Sequence, residues 1–589
     1  MSITPSPLSP AGRADALQRL AAEPLDILVI GGGVTGGGCA LDAVTRGLRV
    51  GLVEARDLSA GTSSRSSKLF HGGLRYLEQL NFALVFEALK ERSLALNTLS
   101  PHLAKPVPFL YPLTRRVIDR GYAGLGIGVY DVMGAGRGVP HHLRHLGRRK
   151  TLEMFPSGNP DVLTGAISFY EGQVDDARHT MMIGRTAAHY GAAVATSTRV
   201  VGFRREADSV VGVRVRDLES GHEFDIRAAQ TINAAGVWMD ELQRLMDAAV
   251  GSGPPLRAKG GFRVRASKGI HLVVPRDRIT SSTGVITRTE KSLLFVIPWG
   301  NRWIIGTTDT DWELDRAHPA ASSADIDYLL KQVNRLLADP LDREDVVGVY
   351  AGLRPLLAGE SDSTSKLSRE HAVASPVPGV ITVAGGKYTT YRVMAKDAVD
   401  AAVRELDARV PPSCTEAVPL LGAEGYRVLW NNRSLIAEET GLSQAWVEHL
   451  LNRYGSLLPE LRDLIAEQPD LAQPLIAAPG YLKVEAVYAA AYEGALHLDD
   501  ILARRTRISI ETWDRGVAAA TEVADLVAPV LGWGKGEIAR EVEHYQKRVA
   551  AERESQHQPD DMSADAARLG APDVRMGRTG PASQPIGGE

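Results

Sequence analysis

The chain has 589 residues and a mass of 63.4 kDa, more than one hydrophobic core accommodates, so two or three domains are expected. With 44% hydrophobic and 23% charged residues and a formal net charge of −4, its composition is that of a globular protein, with no basic excess to recruit nucleic acid. Two cysteines, Cys39 and Cys414, are too few and too far apart for a disulfide scaffold or a cysteine-rich metal centre; they suit a reducing cytoplasm, and no metal is expected.

In chain order, residues 1–22 lack a continuous hydrophobic stretch and read as a flexible tail ending in a short helix. No run of about 18 apolar residues occurs anywhere, so no bilayer-spanning helix is expected. LDILVI, 25–30, is a short apolar strand of the kind buried on both faces. GGGVTG follows at once and sets Gly31, Gly33 and Gly36 in G-x-G-x-x-G register; a helical stretch and a second strand, RVGLVEA, then lead to Glu54. Strand, glycine turn, helix, strand and acid together make the context a dinucleotide fingerprint requires. Gly31 permits the turn, Gly33 lets backbone approach a pyrophosphate, and Gly36 lets helix lie close on strand. The helix N-terminus faces the phosphates, while Glu54 accepts from ribose hydroxyls and repels a 2′-phosphate. The glycine clusters at 124–128 and 134–138 follow no strand, so one nucleotide fold is expected, which favours FAD over an NADH-to-flavin relay.

SSRSSKLFHGGLRYLEQ, 63–79, begins nine residues after Glu54 and should emerge at the carboxyl ends of the strands, where such sheets bind ligands. Its serines and backbone N–H groups can follow a pyrophosphate and ribityl chain, and Gly72 and Gly73 let backbone lie against a flat ring. Arg75 and Tyr76 open a helical pattern; a cation at a positive helix N-terminus wants a compensating anion. Between 107 and 150, Ile118, Tyr122, Leu125, Val129 and Val132 recur at helical spacing among eight basic residues, a surface able to rest on anionic lipid. Four glycines in 121–128 oppose that helix by about 1 kcal/mol each.

Strand signals from 255 to 312 suggest an antiparallel sheet, with a hairpin turning at Trp299-Gly300-Asn301. His271 lies in one of its strands, GIHLVVP, where spacing alone marks a structural residue. Arg354 precedes Pro355, which holds it on stiff extended backbone. AGGKYTTYR, 384–392, follows a strand and opens a helix, with Thr389 and Thr390 as N-cap candidates and Lys387 at the positive end. From 405 the pattern is helical, with 483–507 read as a packed cap, and 555–589 is rich in disorder-promoting residues.

The run ARDLSAGTSSRSSKLFHGGLRYLE, with VDDARH (174–179), NAAGVW (233–238), KGIHLVVP (268–275), FVIPWGNRWIIGTTDTDW (295–312), YAGLRPLL (350–357) and AGGKYTTYRVMA (384–395), resembles the FAD-dependent glycerol-3-phosphate dehydrogenases, bacterial and mitochondrial, over about residues 23–550. NAAG stands where NATG is more familiar, and KGIH where many bacterial members read KGSH. The resemblance implies FAD held by Gly31, Gly33, Gly36, Glu54, Thr62, Ser63, Ser66, Ser67, Lys68, His71, Gly72, Gly73, Val200, Ala235, Gly236, Gly385, Gly386 and Lys387. It implies a substrate pocket of Arg75, Tyr76, His271, Arg354, Lys387 and Thr389. The implied reaction is oxidation of sn-glycerol 3-phosphate to dihydroxyacetone phosphate by hydride transfer from C2 to flavin N5. Arg354 and Arg75 would hold the phosphate, and His271 or Lys387 would be the base.

The expected fold is α/β: a Rossmann-like FAD domain (23–106, 166–245, 349–404) interleaved with a cap segment (107–165) and a substrate-binding antiparallel sheet (246–348), then a helical C-terminal domain (405–554) and a disordered tail (555–589). The expected partners are glycerol 3-phosphate, a quinone acceptor, an anionic membrane at the cytoplasmic face and a second copy in a homodimer. A soluble glycerol-3-phosphate oxidase making peroxide is the first alternative, and an amine or amino-acid oxidase on the same fold the second.

Overall fold

A computed structural model describes residues 6–72, 81–114, 144–248, 263–290, 293–357 and 371–577. Leu25–Ile30 is the central strand of the first sheet; it pairs in parallel with Val50–Val53 on one side and Glu223–Asn233 on the other. Ala193–Ala195 and Val380–Gly385 extend the parallel order at either edge, and His371–Val377 closes it as an antiparallel strand. Helices Val34–Thr45, Asp176–His189 and Tyr391–Val403 pack over one face, and helix Pro10–Ala22 with strands Thr198–Glu206 and Ser209–Asp217 covers the other, which is why the LDILVI run is apolar on both faces.

Val264–Pro275 organises the second sheet. It pairs antiparallel with Arg302–Gly306, Thr310–Trp312 and Gly348–Leu357. The expected hairpin is present: Trp299 pairs with Arg302 across Gly300 and Asn301, and Gly300 takes φ +50°. The domain divisions expected at 106/107, 165/166 and 348/349 need correction, because each cuts a strand of this sheet or its boundary: Ala104–Leu113, Gly165–Val174 and Gly348–Leu357 all belong to it. Local pattern marks such strands but not which sheet they join.

Both expected tails are ordered over the described residues. Pro10–Ala22 is a helix capped by Ser9, and Arg13 pairs with Asp217 at 2.6 Å. At the other end, Lys535–His557 continues through the expected boundary at 555, Asp561–Leu569 follows, and a short turn ends at Gly577. Composition suggested disorder, but the charged residues have partners across the molecule: Asp561 meets Lys268 at 2.5 Å and Arg575 meets Asp500 at 2.9 Å. The Arg75, Tyr76 and Gly73 positions, and the apolar series from Ile118 to Val132, lie outside the described residues.

The segment 483–507 is a packed cap, as read from its pattern, and it anchors by buried ion pairs. Arg505 meets both oxygens of Asp57 at 2.7 Å, Arg504 meets Asp57 at 2.6 Å, and Arg507 meets Asp175 at 2.6 Å. VDDARH is thus a junction: Asp176 accepts from Ser66 N–H and Oγ and from Lys68 Nζ, fixing the 63–70 loop, while Arg178 reaches Glu493 at 2.6 Å. Apart from the half-buried Asp175, each of these charges is buried with a partner, so breaking one pair strands the other.

Burial pushes the pKa values of His102 and His179 down to about 3, so both are neutral in the fold while titrating near 6.5 when unfolded. Their contribution is intact above about pH 6.5 and is lost as pH falls from there toward 3. Stability at pH 5 should be lower than at pH 7.5 by about 2 kcal/mol per histidine. Urea unfolding at the two pH values checks this, and equal midpoints would contradict it.

Candidate active site

A cavity of about 800 Å³ runs between the two sheets. At one end lies the fingerprint. Gly31 has φ +113°, and a Cβ there would stand 2.7 Å from the Ala234 carbonyl oxygen. Gly36 does not line the cavity; a Cβ on it would sit 1.9 Å from Gly31 O, so its part is the close packing of helix on turn. Gly33 is the N-cap of Val34–Thr45, and Val34 N–H donates to Ser63 Oγ at 2.9 Å. Glu54 accepts from Gly32 N–H at 2.7 Å and Arg56 N–H at 2.8 Å and borders the cavity. Thr62, Ser63, Ser66, Ser67, Val200, Ala235 and Gly236 line the same wall.

At the far end the second sheet supplies a face by strict alternation. Ser267, Gly269 and His271 stand opposite Arg354, Gly352 and Tyr350. Both glycines clear space for the neighbours: a Cβ on Gly269 would lie 2.5 Å from Arg354 Nη2, and one on Gly352 would lie 2.6 Å from Arg65 O. Arg354 donates to Thr307 Oγ1 at 2.9 Å and Thr308 O at 3.1 Å, with Asp309 at 3.5 Å, so its guanidinium is fixed in position at the cavity wall. His271 stacks on Tyr350, centroids 4.7 Å apart, and its Nε2 is 2.8 Å from Ser67 Oγ. Burial first, then Arg354 and Lys68, hold its pKa well below the ordinary histidine value. His271 Nδ1 is buried with no hydrogen-bond partner among the described residues.

Gly385 and Gly386, with φ +73° and +79°, bring Lys387 and Thr389 to this end, where both line the cavity. Thr389 Oγ1 bridges the N–H and carbonyl of His71, and His71 itself borders the cavity. Thr390 occupies the N-cap of Tyr391–Val403 without a side-chain cap bond. Two expectations change. Lys68 turns away from the cavity: its backbone takes φ +56°, and its buried ammonium pairs with Asp176 at 2.8 Å. Gly72 is buried but does not line the cavity. Sequence reasoning missed Ser267, Thr307, Asp309 and Tyr350. Period-two alternation around His271 and Arg354 would have found Ser267 and Tyr350.

The residues fit an extended dinucleotide. A glycine turn and helix N-terminus face one end, an acid reaches the ribose position, and His271, Arg354 and Lys387 line the other end. This is the site of an FAD-dependent oxidoreductase: residues 26–396 match the FAD dependent oxidoreductase family, and residues 413–538 match the C-terminal domain of alpha-glycerophosphate oxidase.

The chain is 60% identical to glycerol-3-phosphate dehydrogenase 2 of Mycobacterium tuberculosis, across 96% of this chain and 95% of the relative. It is 35% identical to the human mitochondrial glycerol-3-phosphate dehydrogenase, across 89% of this chain and 73% of that one. The solved glycerol-3-phosphate dehydrogenase of Bacillus halodurans complexed with FAD matches with a TM-score of 0.75 and 28% identity, covering 92% of this chain and 98% of that chain. The chain belongs to the FAD-dependent glycerol-3-phosphate dehydrogenase family.

Proposed function

We propose that this enzyme oxidises sn-glycerol 3-phosphate to dihydroxyacetone phosphate and delivers the electrons to a membrane quinone. The observation that carries the reading is Arg354, braced at the cavity wall on the same sheet face as a buried neutral His271. A guanidinium matches phosphate oxygens in bidentate geometry, so Arg354 anchors the substrate phosphate, with Arg75 as its second cation. His271 is the base. Its ring meets Ser67 Oγ through Nε2 at 2.8 Å, and Lys387 at the same end of the cavity is the alternative base for the C2 hydroxyl proton. Bound FAD supplies the hydride acceptor, its N5. Lys387 and the helix start at Thr390 place positive charge where reduced flavin becomes negative, and Tyr76 and Thr389 give polar contacts.

Arg144, Arg148, Arg149 and Lys150 are exposed, which supports peripheral attachment to an anionic membrane at the cytoplasmic face; no helix among the described residues is long and apolar enough to cross a membrane. The family resemblance supports a homodimer. The match of 413–538 to an oxidase domain keeps oxygen in view as acceptor, and peroxide yield against quinone reduction, with and without lipid, separates the two.

Anaerobic addition of glycerol 3-phosphate should bleach the visible flavin band, whereas glycerol at the same concentration should leave it oxidised. Equal bleaching by both would refute the phosphate anchor. Bleaching by glycine, sarcosine or a D-amino acid instead would move the enzyme to the amine-oxidase reading.

A further inference from the structure

The geometry points to a second binding site, a cavity of about 90 Å³ against strand Gly348–Leu357 that takes one tetrahedral oxyanion of the phosphate class. Three separate parts of the chain meet around it. Ser64 and Arg65 come from the loop that also walls the cofactor cavity, Asp499 and Arg515 from the cap and its continuation, and Arg548 and Glu552 from helix Lys535–His557. The volume falls well short of the roughly 300 Å³ at which sites for drug-sized ligands begin, so a small ion fits and a nucleotide does not. Six arginines line it, Arg65, Arg504, Arg507, Arg515, Arg548 and Arg568, against two carboxylates, Asp499 and Glu552.

Two carboxylates do not balance that charge. Arg504 and Arg507 are paired outside the cavity, with Asp57 and with Asp175, each at 2.6 Å. Of the other four, Arg548 shares Asp499 with Arg504. Arg515 and Arg568 share Glu552 at 3.6 and 3.7 Å, beyond hydrogen-bond range. Arg65 has no carboxylate partner among the described residues, and its one hydrogen bond runs to Ala317 O at 3.4 Å. The spare donors are open. Among the described residues, Nη2 of Arg65, Arg548 and Arg568 makes no hydrogen bond, and none of these three atoms is enclosed by protein. Arg548 borders this cavity alone, whereas Arg65 and Arg568 stand in the wall between it and the cofactor cavity. The arginines also repel one another: burial, then Arg56, Arg548, Arg568 and Arg504, depress the pKa of Arg65, and burial, then Arg568, pushes Arg548 down to about 10. A dianion relieves that repulsion, and guanidinium forks match its oxygens in bidentate geometry. The site touches the reaction centre from behind, because Tyr350 lines it and stacks on His271.

The test uses the full-length enzyme saturated with FAD and carrying R354A, so that the proposed substrate anchor does not hold the probe. Equilibrium dialysis with radiolabelled inorganic phosphate, at constant ionic strength in chloride, should find one bound phosphate per chain. Two changes are then added separately to R354A. R65M strands no carboxylate, and A503L fills the cavity without removing a charge. Each should weaken phosphate binding about tenfold or more. The thermal midpoint should rise with phosphate in the parent and stay level in both variants. Phenyl phosphate should compete about tenfold more weakly than phosphate, since its ring exceeds the cavity; equal competition would overturn the assignment to a free ion. No bound phosphate in the parent, or an affinity within twofold of the parent in either variant, would overturn the site itself. So would binding that appears only after FAD is stripped, which would place the anion at the cofactor pyrophosphate. No readout involves glycerol 3-phosphate, so the result is independent of the proposed reaction.

Discussion

Replacing Arg354 by alanine should lower kcat/KM for glycerol 3-phosphate by about 10³-fold, a loss of about 4 kcal/mol, while the protein keeps its flavin. The magnitude follows from what the side chain does. A charge-assisted bidentate pair to a phosphate is among the strongest polar contacts, and removing it strands a dianion in a partly dry site. The contacts to Thr307 and Thr308 hold the fork in place before substrate arrives, so little ordering remains to be done on binding. R354K should recover only part of the loss, because an ammonium is a point charge without the planar fork. Steady-state kinetics with a dye acceptor, alongside the flavin spectrum, checks both. A fall below tenfold would remove Arg354 from the phosphate anchor.

His271→Asn should lower kcat by about 10²- to 10⁴-fold with little change in KM, the range expected when a positioned base is removed. The pH dependence adds a second check. Burial, then Arg354 and Lys68, depress the pKa of His271, so the neutral and competent ring persists as pH falls through 6.5. The acid limb of kcat/KM should therefore lie well below pH 6.5 in the wild type and move upward in R354A, where one repelling cation is gone. Were K387A to take the kinetic loss while H271N kept near-normal kcat, Lys387 would be the base instead.

The cofactor half of the site was readable from the chain because its logic is local. The sequence of LDILVI, three spaced glycines, a helix and Glu54 lies within 30 residues, and neighbours along the chain supply every role. The same holds for the hairpin at Gly300-Asn301 and for Gly385-Gly386, where φ values are positive and glycine meets them without strain. Arg354 was singled out by Pro355 beside it. Lys68, expected at the cofactor from the family resemblance alone, takes a buried position that no local pattern shows. Its partner, Asp176, lies 108 positions away and draws it into the interior.

Sequence by itself determined the nucleotide-binding unit, the alternating strand that carries His271, the extended backbone at Arg354, and the helical nature of residues 405–554. Each depends on side-chain periodicity or backbone freedom over a few residues. Tertiary structure alone decided that Ser267, Gly269 and His271 face Arg354, Gly352 and Tyr350, that three strands assigned elsewhere complete the second sheet, and that the C-terminal segment is ordered against the cofactor cavity. Those outcomes rest on pairings between distant segments. A strand has no local mark of which edge it joins, and a charged tail has no local mark of the buried counter-charge, such as Asp500 for Arg575, that holds it in place.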